Sequence, residues 1–261
     1  MLAVLSPAKA LDFESPLVTR KFTEPVMMDE ARQLAAIMRR KSPDDLSEMM
    51  EISSGLADLN HERFQDWSPP FTADNARPAV LAFNGDTYIG LDAPASFDER
   101  DFTHAQKVLR ILSGLHGVLR PLDLIQPYRL EMGSRLEHGR GEDLYSFWGD
   151  KVTDQLNRDL AKSPGSPVLV NLASAEYFAV VQPERVDGKV VTPKFLDAKG
   201  DGEFKMVTFF AKRARGAMAS WIIRDRIKSA SSLIEFGDDG YEYSPERSSD
   251  DEPVFLRRVN P

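Results

Sequence analysis

Residues 108–133 constrain this chain more than any other stretch of it. The apolar opening, Val108-Leu-Arg-Ile-Leu112, reads as a buried strand and stops at Ser113-Gly114. Gly117, Pro121, Pro127 and Gly133 then punctuate the backbone, since glycine opens turn conformations and proline locks φ. Among them stand His116, Arg120, Asp123, Tyr128, Arg129 and Glu131. A plain connector needs no such density of turn residues and polar groups. A rigid polar loop at the end of a buried strand is where an α/β protein places a ligand.

The rest of the chain alternates extended and helical patterns. Residues 2–5 form an apolar run. Met28, Ala31, Leu34, Ala35 and Met38 recur at helical spacing and predict a helix over 27–40. Ser42-Pro43-Asp44-Asp45 is a helix start, with Ser as cap and Pro in the first turn. Ser53-Ser54-Gly55 separates that helix from a second one ending near Trp67, and the pair predicts a helix-hairpin-helix-like element. Further strands are expected at 78–85, 108–112, 168–172, 189–196, 204–210, 233–236 and 254–259, and helices at 96–106, 144–162, 176–181 and 211–228. The alternation predicts one α/β domain over 1–261: a mixed sheet flanked by helices, with antiparallel pairing near the C-terminus.

Composition removes several function classes. Cysteine is absent, which excludes disulfides, thiolate metal sites and thiol-based peroxide chemistry. His61-Glu62-Arg-Phe-Gln65 opens like a zinc-protease helix but carries Gln where the second His belongs. Gly114, Gly117 and Gly133 fit neither a Walker nor a Rossmann spacing, and the acidic stretch 238–252 is no EF-hand. No metal or cofactor is expected. No apolar run approaches the roughly 20 residues that span a bilayer. The N-terminus lacks the basic region and long apolar core of a signal peptide. The expectation is therefore a cytoplasmic protein without a membrane partner.

The formal net charge is −8, which argues against a uniformly basic surface. Its distribution is uneven. Residues 205–228 carry seven basic side chains and one acid, Asp225, whereas 235–252 carry eight acids and one base, Arg247. In a helix over 211–228, Phe210, Ala214, Ala217, Met218 and Trp221 share a core-facing stripe. Lys212, Arg215 and Arg226 lie on the far side, and Arg213 and Arg224 on one flank. An exposed face ordinarily mixes signs, and phosphate backbones select for one that does not.

The ends of the apolar runs carry the remaining candidates. Ser6 and Lys9 follow one run, Asn84 and Asp86 another, Ser113 a third, and Asn171 and Ser174 a fourth. If these are parallel neighbours, Lys9, Asp86, Tyr88, Arg129, Glu131, Asn171 and Glu176 surround one crevice. For Ser113 and Ser174, capping a turn is the commoner role. Arg129 and Glu131 point the same way in an extended loop, so they pair with each other or present Arg129 to a phosphate. Two functions follow. A nucleic-acid binder, with DNA as partner, would use Lys9, Arg120, Arg129, Lys212, Arg213 and Arg215. An enzyme modifying or removing a nucleobase or nucleotide would use Lys9, Asp86 and Glu131, although no nucleophile–base pair is legible in their spacing. Direct iron binding is disfavoured by the ligand inventory.

Five blocks in one order carry a resemblance: Ser6-Pro-Ala-Lys-Ala-Leu11, Ala82-Phe-Asn-Gly-Asp-Thr-Tyr-Ile-Gly-Leu91, the 110–133 block, Leu169-Val-Asn-Leu-Ala-Ser-Ala-Glu-Tyr-Phe178 and Lys212-Arg-Ala-Arg-Gly-Ala-Met218. Together they resemble the YaaA family of bacterial peroxide-stress-resistance proteins. Residue 10 is Ala where the family motif carries Thr, which removes a hydroxyl there. The resemblance implies a YaaA-like α/β fold with a basic cleft and a helix-hairpin-helix-like element. It also implies a role in hydrogen peroxide resistance, linked to limiting reactive iron and DNA damage.

Overall fold

A computed structural model describes residues 1–139, 141–200 and 202–259 of the chain. Leu2, Ala3, Val4 and Leu5 are all buried, and the strand they form, β1 (Leu2–Leu5), is the centre of the main sheet. Continuous burial along a strand requires cover on both faces, which is the signature of a parallel sheet core. β1 pairs in parallel with β2 (Leu109–Ser113) on one side and with β4 (Val168–Leu172) on the other. β5 (Lys189–Val191) extends the parallel set beyond β4, and β3 (Gly117–Leu119) folds back antiparallel on β2. The order β3–β2–β1–β4–β5 is a mixed sheet with β1 at its centre. A smaller sheet near the C-terminus holds β6 (Lys194–Lys199) parallel to β8 (Val254–Val259), with β7 (Glu242–Tyr243) antiparallel beside it.

Helices cover the sheet. α1 (Met28–Met38) buries Ala31, Leu34, Ala35 and Met38, the stripe its sequence spacing predicts. α2 (Pro43–Met50) starts with a reciprocal capping box between Ser42 and Asp45. α3 (Ser54–Asp66) follows a three-residue turn in which Glu51 has φ 50°. α4 (Asp86–Leu91), α5 (Glu99–Val108), α6 (Leu144–Trp148), α7 (Lys151–Leu160) and α8 (Thr208–Arg224) are the other longer helices among the described residues. Among the described residues no helix is long and apolar enough to cross a membrane.

Five segments differ from their sequence reading. The first, 189–196, splits into β5 of the main sheet and β6 of the smaller one. Residues 78–85 form no long strand: Arg77–Pro78 pairs briefly with Leu124–Ile125, and Ala79–Ala82 is a helical turn. A short Ala-rich apolar run suits either periodicity, and alanine favours the helix. Residues 204–210 make one bridge, Asp197 with Lys205, before α8 begins at Thr208. Residues 230–235 are a 3-10 turn capped by Ser229 rather than a strand. The helix expected over 144–162 breaks into α6 and α7 at Gly149, which has φ 46°.

Two packing features fix the rest. α8 lies directly on α4. A Cβ at Gly216 would collide with the Thr87 carbonyl, and one at Gly90 with the Arg213 carbonyl. Beneath β2, Arg110 and Asp159 form a buried ion pair at 2.7 Å. His116 is fully buried in a cage of Trp67, Phe71 and Tyr128, with ring centroids 5.4 to 6.3 Å away. Neither of its ring nitrogens has a hydrogen-bond partner among the described residues, and burial pulls its pKa down to about 3.

Two measurements follow from this packing. Gly216→Ala should cost about 3 kcal/mol in urea unfolding, at the upper end of overpacking penalties, because the atom it strikes is rigid backbone. His116 should make the fold acid-sensitive. The unfolded chain protonates this imidazole near the ordinary value of about 6.5 and the native state does not, so stability is highest above that value and falls as pH drops toward the folded pKa. The expected loss is about 1.4 kcal/mol per pH unit across that window, and His116→Phe should abolish this component of the unfolding free energy measured from pH 7 to 5.

Candidate functional site

β1 and β4 lie side by side, and the chain reaches β4 only after building β2 on the opposite side of β1. Strand ends at such a switch in order are where open α/β sheets form a crevice. Here its floor is two serines: the Ser174 backbone N–H donates to Ser6 Oγ at 2.9 Å, and the two hydroxyls lie 3.3 Å apart. Ser174 also caps the turn Ala175–Phe178, so capping is the role it plays. Above the floor opens a crevice of about 410 Å³, lined by Lys9, Asn84, Asp86, Glu176, Lys212 and Arg215 among others. A narrow recess beside it shares Lys9 and adds Tyr128, Arg129 and Glu131.

Glu131 organises the loop side. Its carboxylate lies 2.7 Å from Lys9 Nζ and 2.9 Å from Arg129 Nη2, and Arg129 Nε donates to it at 3.2 Å. Two cations on one half-buried carboxylate offset its desolvation. Glu176 is held differently, by the Gly133 backbone N–H at 3.0 Å. Below them, Tyr88 donates to the Ser6 carbonyl at 3.1 Å, and Tyr128 shares a 2.6 Å hydrogen bond with Ser113. Burial holds both phenols above their ordinary range, so they are neutral hydrogen-bonding groups at physiological pH. Ser113 Oγ also accepts from the His116 backbone N–H, so it tightens the loop rather than facing the crevice.

On the opposite wall, Lys212 is exposed and Arg215 is half-buried. Neither makes an ion pair or a side-chain hydrogen bond with the described residues. Burial lowers the guanidinium pKa of Arg215 from its ordinary value, which still leaves it charged near neutrality. Across crevice and recess, four cations (Lys9, Arg129, Lys212, Arg215) face three carboxylates (Asp86, Glu131, Glu176).

The other sequence candidates stand elsewhere. Asn171 turns its side chain into its own strand end, accepting from the Ala173 N–H at 3.0 Å and reaching Thr192 Oγ1 at 3.4 Å. Arg120 lies toward the other end of the sheet, because β3 runs back along β2. It is held by Asp123 at 2.8 Å and by the Glu24 carbonyl. Arg213 is on the opposite flank of α8, its guanidinium 5.2 Å from the Phe209 ring centroid. Arg226 lies beyond the helix end and pairs with Asp101 at 2.8 Å. Sequence reading missed Arg63 on α3. Burial lowers its pKa, and the charge of Arg129 lowers it further; its guanidinium donates to Asn60 Oδ1 at 3.2 Å.

Among the described residues no cluster of three or more His, Asp or Glu side chains has the geometry of a metal site. Comparison with known proteins gives the family. The chain matches the family model described as peroxide stress protein YaaA over residues 1–247. It is 53% identical over 257 residues to a UPF0246 protein of Cellvibrio japonicus (strain Ueda107), covering 98% of each chain. With that span matched and the motif-bearing strand ends converging on one crevice, the chain belongs to the YaaA family of peroxide stress proteins.

Proposed function

We propose that this protein binds nucleic acid, with DNA as the partner, through the crevice at the ends of β1 and β4, and that such binding helps limit iron-linked oxidative damage to DNA. One observation carries the reading. Among the described residues, Arg215 and Lys212 face the crevice without a carboxylate partner, while every other cation of the crevice and its recess is shared with Glu131. A half-buried guanidinium without an anion is incompletely compensated, and a phosphate oxygen supplies what it lacks. Arg63 on α3 feels the charge of Arg129, and in this reading α2 and α3 serve as the helix-hairpin-helix contact. Without cysteine the chain has no thiol with which to meet peroxide, so protection through a bound target is the consistent route.

A second reading rests on the 2.7 Å contact between Lys9 and Glu131. An amine and a carboxylate held together at a crevice mouth can pass a proton, which a nucleobase-modifying enzyme requires. The binder explains the same residues with fewer steps, because charge neutralisation alone accounts for their pairing.

Two sets of variants separate the possibilities. Replacing Lys212 and Arg215 with Ala should weaken duplex DNA binding for all sequences alike and reduce the slope of log K against log salt by about 2, roughly one unit for each phosphate no longer neutralised. Unchanged affinity across the salt series would remove α8 as the contact surface. Glu131→Gln deletes a negative charge beside the ligand, so a binder should hold DNA as well or better. An enzyme would bind normally but lose turnover. Release of a modified or free base by the unaltered protein, absent in Glu131→Gln, would establish the enzyme.

A further inference from the structure

We infer that the opposite flank of α8 carries a second ligand site, a groove that takes a small sugar phosphate, free or as the ribose phosphate of a mononucleotide. The groove encloses about 400 Å³, within the range of small-molecule sites, roughly 300–1,000 Å³. One wall is a single helical face, with Arg213, Ala217, Ser220 and Arg224 at successive turns. Asp238 and Asp239, in the turn that packs against α8, also line it. The base is small: Gly90 has no side chain to give, since a Cβ there would strike the Arg213 carbonyl.

Arg213 is the anion-binding group. It is half-buried, has no carboxylate within ion-pair distance among the described residues, and lies over the Phe209 ring at 5.2 Å. A guanidinium held against an aromatic face is a pre-oriented fork, suited to phosphate. Arg224 is eleven residues further on the same face, about 16 Å along the helix axis. That span exceeds one phosphate, and Arg224 already sits in the field of Asp238. The distal end therefore presents carboxylates, which accept hydrogen bonds from sugar hydroxyls.

The balance of charge distinguishes this groove from the crevice. Two arginines face three aspartates, Asp92, Asp238 and Asp239, the reverse of the cationic surplus on the other flank. A phosphodiester chain is negative along its whole length and is opposed by that end of the groove. A sugar phosphate matches it, with charge at Arg213 and neutral donors at the aspartates. The groove and the crevice draw on different residues of the same two helices, Ile89, Gly90 and Arg213 for the groove and Asp86, Thr87, Lys212 and Arg215 for the crevice.

Calorimetric titration of the full chain with ribose 5-phosphate, adenosine monophosphate, ribose and inorganic phosphate tests the assignment. Both sugar phosphates should saturate the site, each more tightly than ribose or inorganic phosphate. Equal binding of the two would mark recognition of the sugar phosphate alone; tighter binding of adenosine monophosphate would add a base contact, and either upholds the site. Arg213→Ala should weaken binding about tenfold or more, and Asp239→Asn, which keeps an asparagine-compatible backbone at φ 59°, should weaken it without threatening the fold. Lys212→Ala should have no effect. The proposal is overturned by absence of saturation with both sugar phosphates, by inorganic phosphate binding as tightly as ribose 5-phosphate, or by titrations unchanged in Arg213→Ala and Asp239→Asn. It is also overturned if Arg213→Ala weakens DNA binding as much as Lys212→Ala does, because the groove then belongs to the nucleic-acid surface.

Discussion

The contact of α4 with α8 decides what the basic helix can do. Gly90 and Gly216 let two backbones approach to a distance that no side chain permits. Once α4 is seated there, α8 cannot rotate about its axis. Lys212 and Arg215 then face the crevice, and Arg213 and Arg224 face the groove behind it. Neighbouring residues 212 and 213 end on different surfaces with opposite charge balance. A helix with the same composition but a looser seat would present one smeared cationic face. Close helix packing thus converts a basic sequence into two chemically separate walls.

Glu131 makes a comparable division on the loop side. A carboxylate only 18% exposed cannot be left alone, because burying an unpaired charge costs several kcal/mol. It therefore holds both Lys9 and Arg129, and their surplus is one charge rather than two. The strand-end loop reads in sequence as the heart of a binding site, yet its strongest cations are largely occupied. The uncompensated charge lies across the crevice on α8. The loop is made rigid by Tyr128 with Ser113 and Gly133 with Glu176, and the helix carries the unpaired cations.

Much of this architecture is legible in the sequence. β1, β2 and β4 are buried on both faces, so they appear as mainly apolar runs, interrupted only by Arg110 in β2 and Asn171 in β4 before their ends. Lys9 follows one such run, whereas Asp86 reaches the crevice at the head of α4. Ser42 announces its own capping box. The failures share a cause, which is that a partner outside the local pattern decides the outcome. Asn171 stands at a strand end like a crevice residue, but its side chain turns back to Ala173. Arg120 is taken by Asp123, and that acid three residues on is a visible signal of a closed turn. Arg213 cannot be parted from Lys212 by local pattern because the divider is α4, over 120 residues earlier in the chain. Phe209 and Phe210 give 204–210 a strand-like hydropathy, yet Phe209 is nearly half exposed at the head of a helix.

The acidity of the whole chain does not oppose anion binding at one wall. Screening confines exposed charges to about 8 Å at physiological ionic strength, so a phosphate at Arg215 responds to its immediate neighbours. Those neighbours are Lys212, the Lys9–Glu131–Arg129 cluster and the carboxylates Asp86 and Glu176, which with Arg215 itself leave a surplus of one positive charge, whereas Asp238 and Asp239 line the separate groove. The net charge of −8 acts at long range, where it slows the approach of a polyanion instead of weakening the bound state. An acidic protein with a local cationic wall therefore gains affinity only at short distance. In the proposed reading such a protein engages DNA only where the crevice fits, and its own charge opposes the non-specific coating that a uniformly basic surface would produce.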